Sequence, residues 1–175
     1  VDRIDMVYRE KGIDAYRQEI EKLSGQTIPF SMVCSVDNFK ILTDLLGGMK
    51  IFVPYPVDIQ ADNGDRWLLP SGVNNLDGDK ILTYLYYNSP EETDGEVQDR
   101  YQNVIIAFLA AINKNMNTMF VERNFKEYSG LFDTNLEDKD LRIILETVAH
   151  VDSERLAPRS ITGSVRVVDG KSLLF

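Results

Sequence analysis

Two stretches of this sequence decide its fold: Phe39-Lys-Ile-Leu-Thr-Asp-Leu-Leu-Gly-Gly-Met-Lys-Ile-Phe-Val-Pro54 and Gly72-Val-Asn-Asn-Leu-Asp-Gly-Asp-Lys-Ile-Leu-Thr-Tyr84. In the first, apolar residues recur at helical spacing up to Gly47-Gly48, which ends the helix, and a β-rich run follows. In the second, Asp77 or Asp79 opens a short helix, because an aspartate accepts hydrogen bonds from the free N–H groups of a first turn. Together they predict a helix, a strand and a second helix.

The composition fits one globular domain. The 175 residues are 43% hydrophobic and 27% charged, which is enough apolar sequence to bury a core. The formal net charge of -9 argues against a nucleic-acid surface, since such a surface needs clustered lysine and arginine. An anionic ligand must therefore meet individually placed cations or a metal ion.

Two further features concern the cysteine content and the membrane segments of the chain. Cys34 is the single cysteine, so no internal disulfide forms, and its apolar setting predicts an inert buried thiol. No run approaches the roughly 20 apolar residues that a membrane span requires, and the first residues carry no signal-peptide pattern. A segment that anchors or exports the protein is therefore expected to lie outside this chain.

The N-terminal half predicts helices that alternate with strands. Asp37 is the expected cap of the helix in the first stretch. Pro54 and Pro56 place the far end of the strand that follows at a sheet edge. The expected elements are, in order, a helix over 13–23, a strand over 29–36, the helix after Asp37, a strand over 49–57, a turn at 62–65 and a return strand over 67–69.

The C-terminal half is mostly helical. Its strongest periodic signal runs from about Glu96 to Asn113, after a polar loop, and a second helix is expected over 116–128. The pattern Thr134-Asn-Leu-Glu137 is a capping box, which predicts a further helix. Asp169-Gly170 joins two β segments and predicts a C-terminal β-hairpin.

A succession of short motifs runs in order across nearly the whole chain: Arg3-Ile-Asp5 with Tyr8 and Gly12, Leu23-Ser-Gly25, Ser35-Val-Asp-Asn-Phe39, Asp44-Leu-Leu-Gly-Gly-Met-Lys-Ile-Phe-Val53, Gly72 and Leu76-Asp-Gly78. In this order and spacing they resemble the LytR-CpsA-Psr family of cell-envelope proteins. The resemblance implies an α/β domain with a mixed central sheet flanked by helices, which holds a polyprenyl lipid in an apolar tunnel. It also implies a single domain over 1–175, with the family's N-terminal strands expected before Val1.

The family resemblance implies an activity as well. Its members are magnesium-assisted phosphotransferases that move a glycopolymer from a polyprenyl diphosphate carrier onto peptidoglycan outside the cytoplasmic membrane. A diphosphate in an apolar pocket must be neutralised by guanidinium groups and a divalent ion, because burying its charge is otherwise very costly. The implied partners are a polyprenyl (pyro)phosphate lipid or lipid-linked glycopolymer, and peptidoglycan. The implied location is extracytoplasmic, in a membrane-anchored parent protein.

Most of the arginines that bind phosphate in the family are absent from this chain. The family's Arg-x-Arg pair falls on Tyr86-Tyr87-Asn88, and of its second arginine set only Arg100 remains, followed by Tyr101-Gln102. The resemblance thus implies Arg100 as the catalytic and ligand-binding cation, with Gln102 and Tyr86 as further ligand-binding residues. Asp94 best matches the family's acidic position and Asp99 is the alternative register, so both are candidate ligands for Mg²⁺.

Each of these residues also has a purely structural explanation. Arg100, at the start of a long helix, could be a surface residue paired with Glu96 or Asp99. Asp94 could serve a turn or a helix cap, and Tyr86 could pack at a helix end. Two hypotheses follow: a glycopolymer phosphotransferase, or a non-catalytic envelope binding or scaffolding module that keeps only the fold. An unrelated α/β domain is the third possibility.

Overall fold

The structure is a computed structural model that describes residues 4–60, 64–87, 92–156, 165–168 and 171–174. Its helices are α1 (Ile4–Ser24), α2 (Val36–Leu45), α3 (Gly78–Tyr86), α4 (Asp94–Met119), α5 (Glu122–Ser129) and α6 (Asp138–Ala149), with a short 3₁₀ helix at Ser153–Arg155. Its strands are β1 (Met32–Cys34), β2 (Met49–Val53), β3 (Val57–Gln60), β4 (Arg66–Leu69), β5 (Gly72–Leu76), β6 (Phe132–Thr134), β7 (Val165–Val168) and β8 (Lys171–Leu174).

The chain divides into two compact units. One contains Val1–Ser31 and Ala157–Phe175, and the other contains Met32–Leu156. In the first unit, α1 begins earlier than the predicted helix and is broken at Gly12, whose φ of 81° lies in the left-handed region that favours glycine. β7 and β8 pair antiparallel, so the predicted C-terminal β-hairpin is confirmed, while its turn at Asp169-Gly170 lies outside the described residues.

The second unit holds the hydrophobic core. β2 alternates, with Met49, Ile51 and Val53 buried and Lys50 and Phe52 exposed, as expected for a strand with one face on a core. α4 packs against β2 and α6 across this core. The fully buried large side chains are Leu42, Leu46, Met49, Ile51, Leu76, Ile81, Ile112, Met119, Leu141, Val53 and Thr43.

All strand pairs among the described residues are antiparallel. The ladders are β1 with β6, β2 with β5, β3 with β4, and β7 with β8. The predicted α/β fold with a C-terminal hairpin is confirmed. The expectation of a single domain over 1–175 stays a prediction.

The two stretches that decide the fold meet at the junction of α2 with α3. Asp44 Oδ1 accepts a hydrogen bond from the Gly78 backbone N–H at 2.8 Å. A Cβ on Gly78 would lie 2.5 Å from the Lys40 carbonyl oxygen, so the start of α3 can approach α2 this closely only with glycine. The β2–β5 ladder joins the same two stretches from Met49 opposite Leu76 to Val53 opposite Gly72.

At the helix ends in this region, one predicted stop and one predicted cap are confirmed, and a second predicted cap is wrong. Gly47 and Gly48, with φ of 77° and 87°, follow α2, so the predicted stop is confirmed. Asp77 is the N-cap of α3, and its side chain accepts from the Lys80 N–H at 3.0 Å. The expected cap at Asp37 is wrong, because the Ser35 hydroxyl accepts from the third N–H of α2 and Asp37 lies inside the first turn.

The capping box predicted at Thr134-Asn-Leu-Glu137 is also wrong. Glu137 is the N-cap of α6 and makes no side-chain capping bond. Thr134 instead ends β6, and its hydroxyl accepts from the Leu136 N–H at 3.2 Å. Pairing of β6 with β1, about a hundred residues earlier in the chain, outweighed the local helix signal.

The remaining boundaries shift by a few residues. The strand expected over 49–57 is divided into β2 and β3 at the Pro54–Pro56 segment, while the hairpin of β3 with β4 is confirmed. Residues 61–63 of its turn lie outside the described residues. The helix expected at 96–113 is confirmed and continues to Met119, so the one expected over 116–128 is really the end of α4 followed by α5.

Candidate functional site

The candidate site is built where α3 ends and α4 begins. Thr93 caps α4: its hydroxyl accepts from the Glu96 N–H at 3.3 Å, and the Glu96 carboxylate accepts from the Thr93 N–H at 2.8 Å. The bond from the Thr93 backbone N–H, and after it a bond that the Thr93 hydroxyl donates to the same carboxylate at 2.8 Å, lower the pKa of the Glu96 carboxyl. The capping box fixes the first turn of α4 and occupies Glu96.

Arg100, one turn after Glu96, is buried at 5% exposure. Its Nη1 donates to both carboxylate oxygens of Glu92 at 2.6 Å, and its Nη2 donates to the Tyr87 carbonyl oxygen at 2.6 Å. The guanidinium carbon lies 5.7 Å from the ring centroids of both Tyr84 and Tyr87, within cation–π range. Two aromatic rings and one carboxylate therefore hold the cation.

One nitrogen of this guanidinium is left without a hydrogen bond. Arg100 Nε is buried and has no hydrogen-bond partner among the residues that the structure describes. An unpaired buried donor costs free energy comparable to that of a lost hydrogen bond, about 1–3 kcal/mol. Nε is thus the nitrogen of this guanidinium that no described group uses.

The alternative in which Arg100 is a surface residue paired with Glu96 or Asp99 is wrong. The side chain is buried, and its ion-pair partner is Glu92, which is itself only 16% exposed. A buried guanidinium requires a partner because moving its charge out of water is costly. Glu92 lies in the segment before the cap, where it can reach back over the first turns of α4.

Tyr84 lies beneath the guanidinium at 4% exposure. Burial is the main cause that raises the pKa of its phenol, and the positive charge of Arg100 works in the opposite direction. The hydroxyl therefore stays protonated at neutral pH. Tyr84 contributes a neutral aromatic face and no negative charge to the site.

The other predicted ligand-binding residues, Tyr86 and Gln102, do not face Arg100. Tyr86 ends α3 and is 67% exposed. Gln102 is half-buried on α4, two positions from Arg100, and residues at that spacing point to different sides of a helix. The structure thus brings Tyr84 and Tyr87 to Arg100, whereas Tyr86 and Gln102 lie on other faces.

The two candidate metal ligands are exposed residues of α4. Asp94 is the first residue of the helix, and Asp99 lies five positions later, so the pair does not share a helical face. In the part of the chain that the structure describes, no three or more His, Cys, Asp or Glu side chains are grouped to hold a metal ion. A metal caged by protein ligands alone does not fit these residues.

Sequence reasoning missed Glu92, the main partner of Arg100. Its only signal is a Glu91-Glu92 pair in a polar loop eight residues before the arginine, and no periodic pattern links the two. Cys34 and His150 lie outside this site. Cys34 is only partly buried, so the expectation of a buried thiol is wrong, although its partial burial still raises the pKa of the thiol. His150 Nδ1 lies 2.6 Å from the Glu146 carbonyl oxygen at the end of α6.

The fold and site define an α/β domain with a buried, incompletely paired arginine at the start of a long helix. The model of the LytR_cpsA_psr family matches residues 1–175, and the chain belongs to that family. The chain is 21% identical over 165 residues to the polyisoprenyl-teichoic acid–peptidoglycan teichoic acid transferase TagV of Bacillus subtilis (strain 168), covering 93% of this chain and 42% of TagV.

Solved structures share the fold. The crystal structure of B. subtilis TagV matches with a TM-score of 0.81 at 20% identity, over 99% of this chain and 66% of that one. A structure of TagT bound to LI-WTA matches with a TM-score of 0.70 at 18% identity, over 99% of this chain and 64% of that one. The chain thus spans less than half of the curated relative and just under two thirds of these structures. No described helix is long and apolar enough to cross a bilayer.

Proposed function

We propose that this domain acts in the cell envelope, outside the cytoplasmic membrane, where it binds the phosphate of a polyprenyl-linked glycopolymer for transfer onto peptidoglycan. The observation that carries the proposal is Arg100, a buried guanidinium with an unpaired Nε. By the family resemblance, it occupies the one arginine position that the chain shares with the family motif. The names of TagV and of the TagT complex supply the class of ligand.

Arg100 has the properties that a phosphate site requires. Its planar group can donate two parallel hydrogen bonds to one phosphate, which a lysine cannot do. The rings of Tyr84 and Tyr87 and the low exposure of Arg100 keep water away from the guanidinium. Its charge therefore acts more strongly on a developing negative charge than it would in solvent. In a transfer reaction, Arg100 would bind the diphosphate and stabilise the charge on the leaving phosphate.

Magnesium fits the site only together with the ligand. Mg²⁺ is commonly held by one or two carboxylates, several waters and the phosphates of a substrate. Asp94, exposed at the start of α4, would supply the carboxylate, with Asp99 as the alternative. The bound ion would neutralise part of the diphosphate charge.

A second candidate function is a binding or scaffolding module without transferase activity. It is favoured by Tyr86 and Tyr87, which stand where the family has arginines, and by the Glu92 carboxylate already on Arg100. In such a module the Arg100–Glu92 pair would serve only to join the end of α3 to α4. An assay of glycopolymer transfer to peptidoglycan distinguishes the two functions, because only the transferase would give product.

The Arg100→Lys variant of the complete protein tests the transferase proposal. It keeps the charge and removes the planar fork, so kcat/KM for transfer of a lipid-linked glycopolymer to peptidoglycan is expected to fall about a hundredfold. The matched control is Arg142→Lys, because Arg142 also lies near an aromatic ring and pairs with Glu146, but in α6. We expect the control to retain wild-type kinetics. Equal activity of Arg100→Lys and wild type would rule out the proposed role, and an inactive wild-type protein would favour the scaffold.

A further inference from the structure

The hydrogen bonds of Arg100 leave its pairing with Glu92 incomplete. A guanidinium offers five N–H donors in a planar fork, and a well-matched carboxylate takes two of its nitrogens. Glu92 instead places both oxygens on the single nitrogen Nη1, while Nη2 is bonded to the Tyr87 carbonyl oxygen. Nε, although buried, donates to no group among the described residues. Glu92 therefore neutralises the charge without using the whole donor set.

Arg100 is more deeply buried and more tightly packed than its partner Glu92. Arg100 is 5% exposed and lies near the rings of Tyr84 and Tyr87, so its position is fixed by packing. Glu92 is 16% exposed and precedes the Thr93 cap, so it is not part of the α4 hydrogen-bond ladder. Its carboxylate can turn towards water without any movement of α4.

A phosphate at Arg100 would conflict with Glu92 in its present position. Both groups are anions and would compete for Nη1, and the start of α4 already carries Asp94, Glu96 and Asp99. Like charges at a partly buried site repel strongly. A phosphate carries more negative charge than a carboxylate and has three or more acceptor oxygens, so it can compete with Glu92 for Nη1.

We infer that Glu92 is an internal competitor for the anion site of Arg100, whose carboxylate holds the guanidinium until the phosphate of a ligand displaces it. The inference rests on the proposed phosphate role of Arg100. It adds that Glu92 sets the affinity of this site for phosphate. Glu92 thereby selects for ligands that carry more negative charge or more acceptor oxygens than a carboxylate does. A diphosphate satisfies both conditions.

Isothermal titration of the 175-residue chain with inorganic pyrophosphate, at constant ionic strength, tests the inference. Glu92→Gln keeps the size of the side chain and removes its charge, so we expect its Kd for pyrophosphate to be about tenfold lower than that of wild type, the scale of one charge-assisted hydrogen bond. Glu127→Gln is the matched control, because this exposed residue of α5 changes the net charge equally. Its Kd is expected to stay within about twofold of wild type. Adding Arg100→Lys to Glu92→Gln is expected to abolish the gain.

The outcomes separate this inference from the proposed function. If Glu92→Gln binds pyrophosphate no more tightly than wild type while Arg100→Lys binds it more weakly, the competitor role is overturned and the phosphate role stands. If none of the proteins binds pyrophosphate, the phosphate role fails and the competitor role fails with it. Should Glu92→Gln not fold, Glu92→Asp takes its place, since the shorter side chain withdraws the carboxylate and is expected to lower Kd by a smaller factor.

Discussion

The Gly78→Ala variant is expected to unfold with a free energy lower than that of wild type by about 3 kcal/mol. The added Cβ would lie 2.5 Å from the Lys40 carbonyl oxygen and 2.9 Å from Asp44 Oδ2. The backbone of α2 supplies the nearer atom, so the clash is relieved only if α3 moves away. That movement also weakens the bond from the Gly78 N–H to Asp44 Oδ1. Urea denaturation followed by circular dichroism measures the change.

Gly95→Ala is the matched control for this variant. Gly95 also lies in the first turn of a helix, but a Cβ added there would have Thr93 Oγ1 as its nearest neighbour at 3.9 Å, an ordinary contact. Alanine is the better helix former, so this variant is expected to be as stable as wild type or slightly more stable. Equal stability of Gly78→Ala and Gly95→Ala would show that the α2–α3 junction does not require a glycine, without a Cβ, at position 78.

The second large effect concerns the Arg100–Glu92 pair. Arg100→Met alone is expected to lower the free energy of unfolding by about 3 kcal/mol, because it leaves Glu92 partly buried without its partner. Glu92→Met alone is expected to cost about as much, since it leaves the buried guanidinium unpaired. The double variant is expected to recover most of the loss, because apolar side chains of similar volume often replace a buried pair at little cost.

The same double-mutant cycle on Arg142 and Glu146 is the control. That pair is of the same chemical type, but its side chains are 39% and 40% exposed. Exposed pairs on one helix contribute about 0.5 kcal/mol, so its coupling free energy is expected to be several times smaller. A coupling free energy for Arg100–Glu92 no larger than that of the control would contradict the buried pair described here.

Local chemistry explains why much of the fold could be predicted. Gly47-Gly48, Asp77 and the apolar periodicity of α4 act within one or two turns of the chain, and each was interpreted correctly. The pairing of β1 with β6 joins segments about a hundred residues apart, and no nearby residue signals it. For that reason Thr134 was assigned to a helix cap although it ends a strand.

The candidate site was predictable only in part for the same reason. Arg100 could be found because it stands in a motif at the start of a strongly periodic helix. Its surroundings could not, because burial and pairing depend on how α3 and the segment before α4 fold back over it. Tyr87 contributes a carbonyl oxygen, which any residue type would supply, and Glu92 lies in a polar loop without a pattern.

The most direct test of the central claim, that Arg100 is the phosphate site, is the NMR signal of its Nε–H group during titration with pyrophosphate. In protein labelled with ¹⁵N-arginine, the signal is assigned by its loss in Arg100→Lys. Because Nε has no partner among the described residues, pyrophosphate is expected to shift this signal downfield as a charge-assisted hydrogen bond forms. The Nε–H of Arg142, already bonded to Glu146 at 2.9 Å, is expected to stay unchanged. An Arg100 signal that does not move at saturating pyrophosphate would contradict the account.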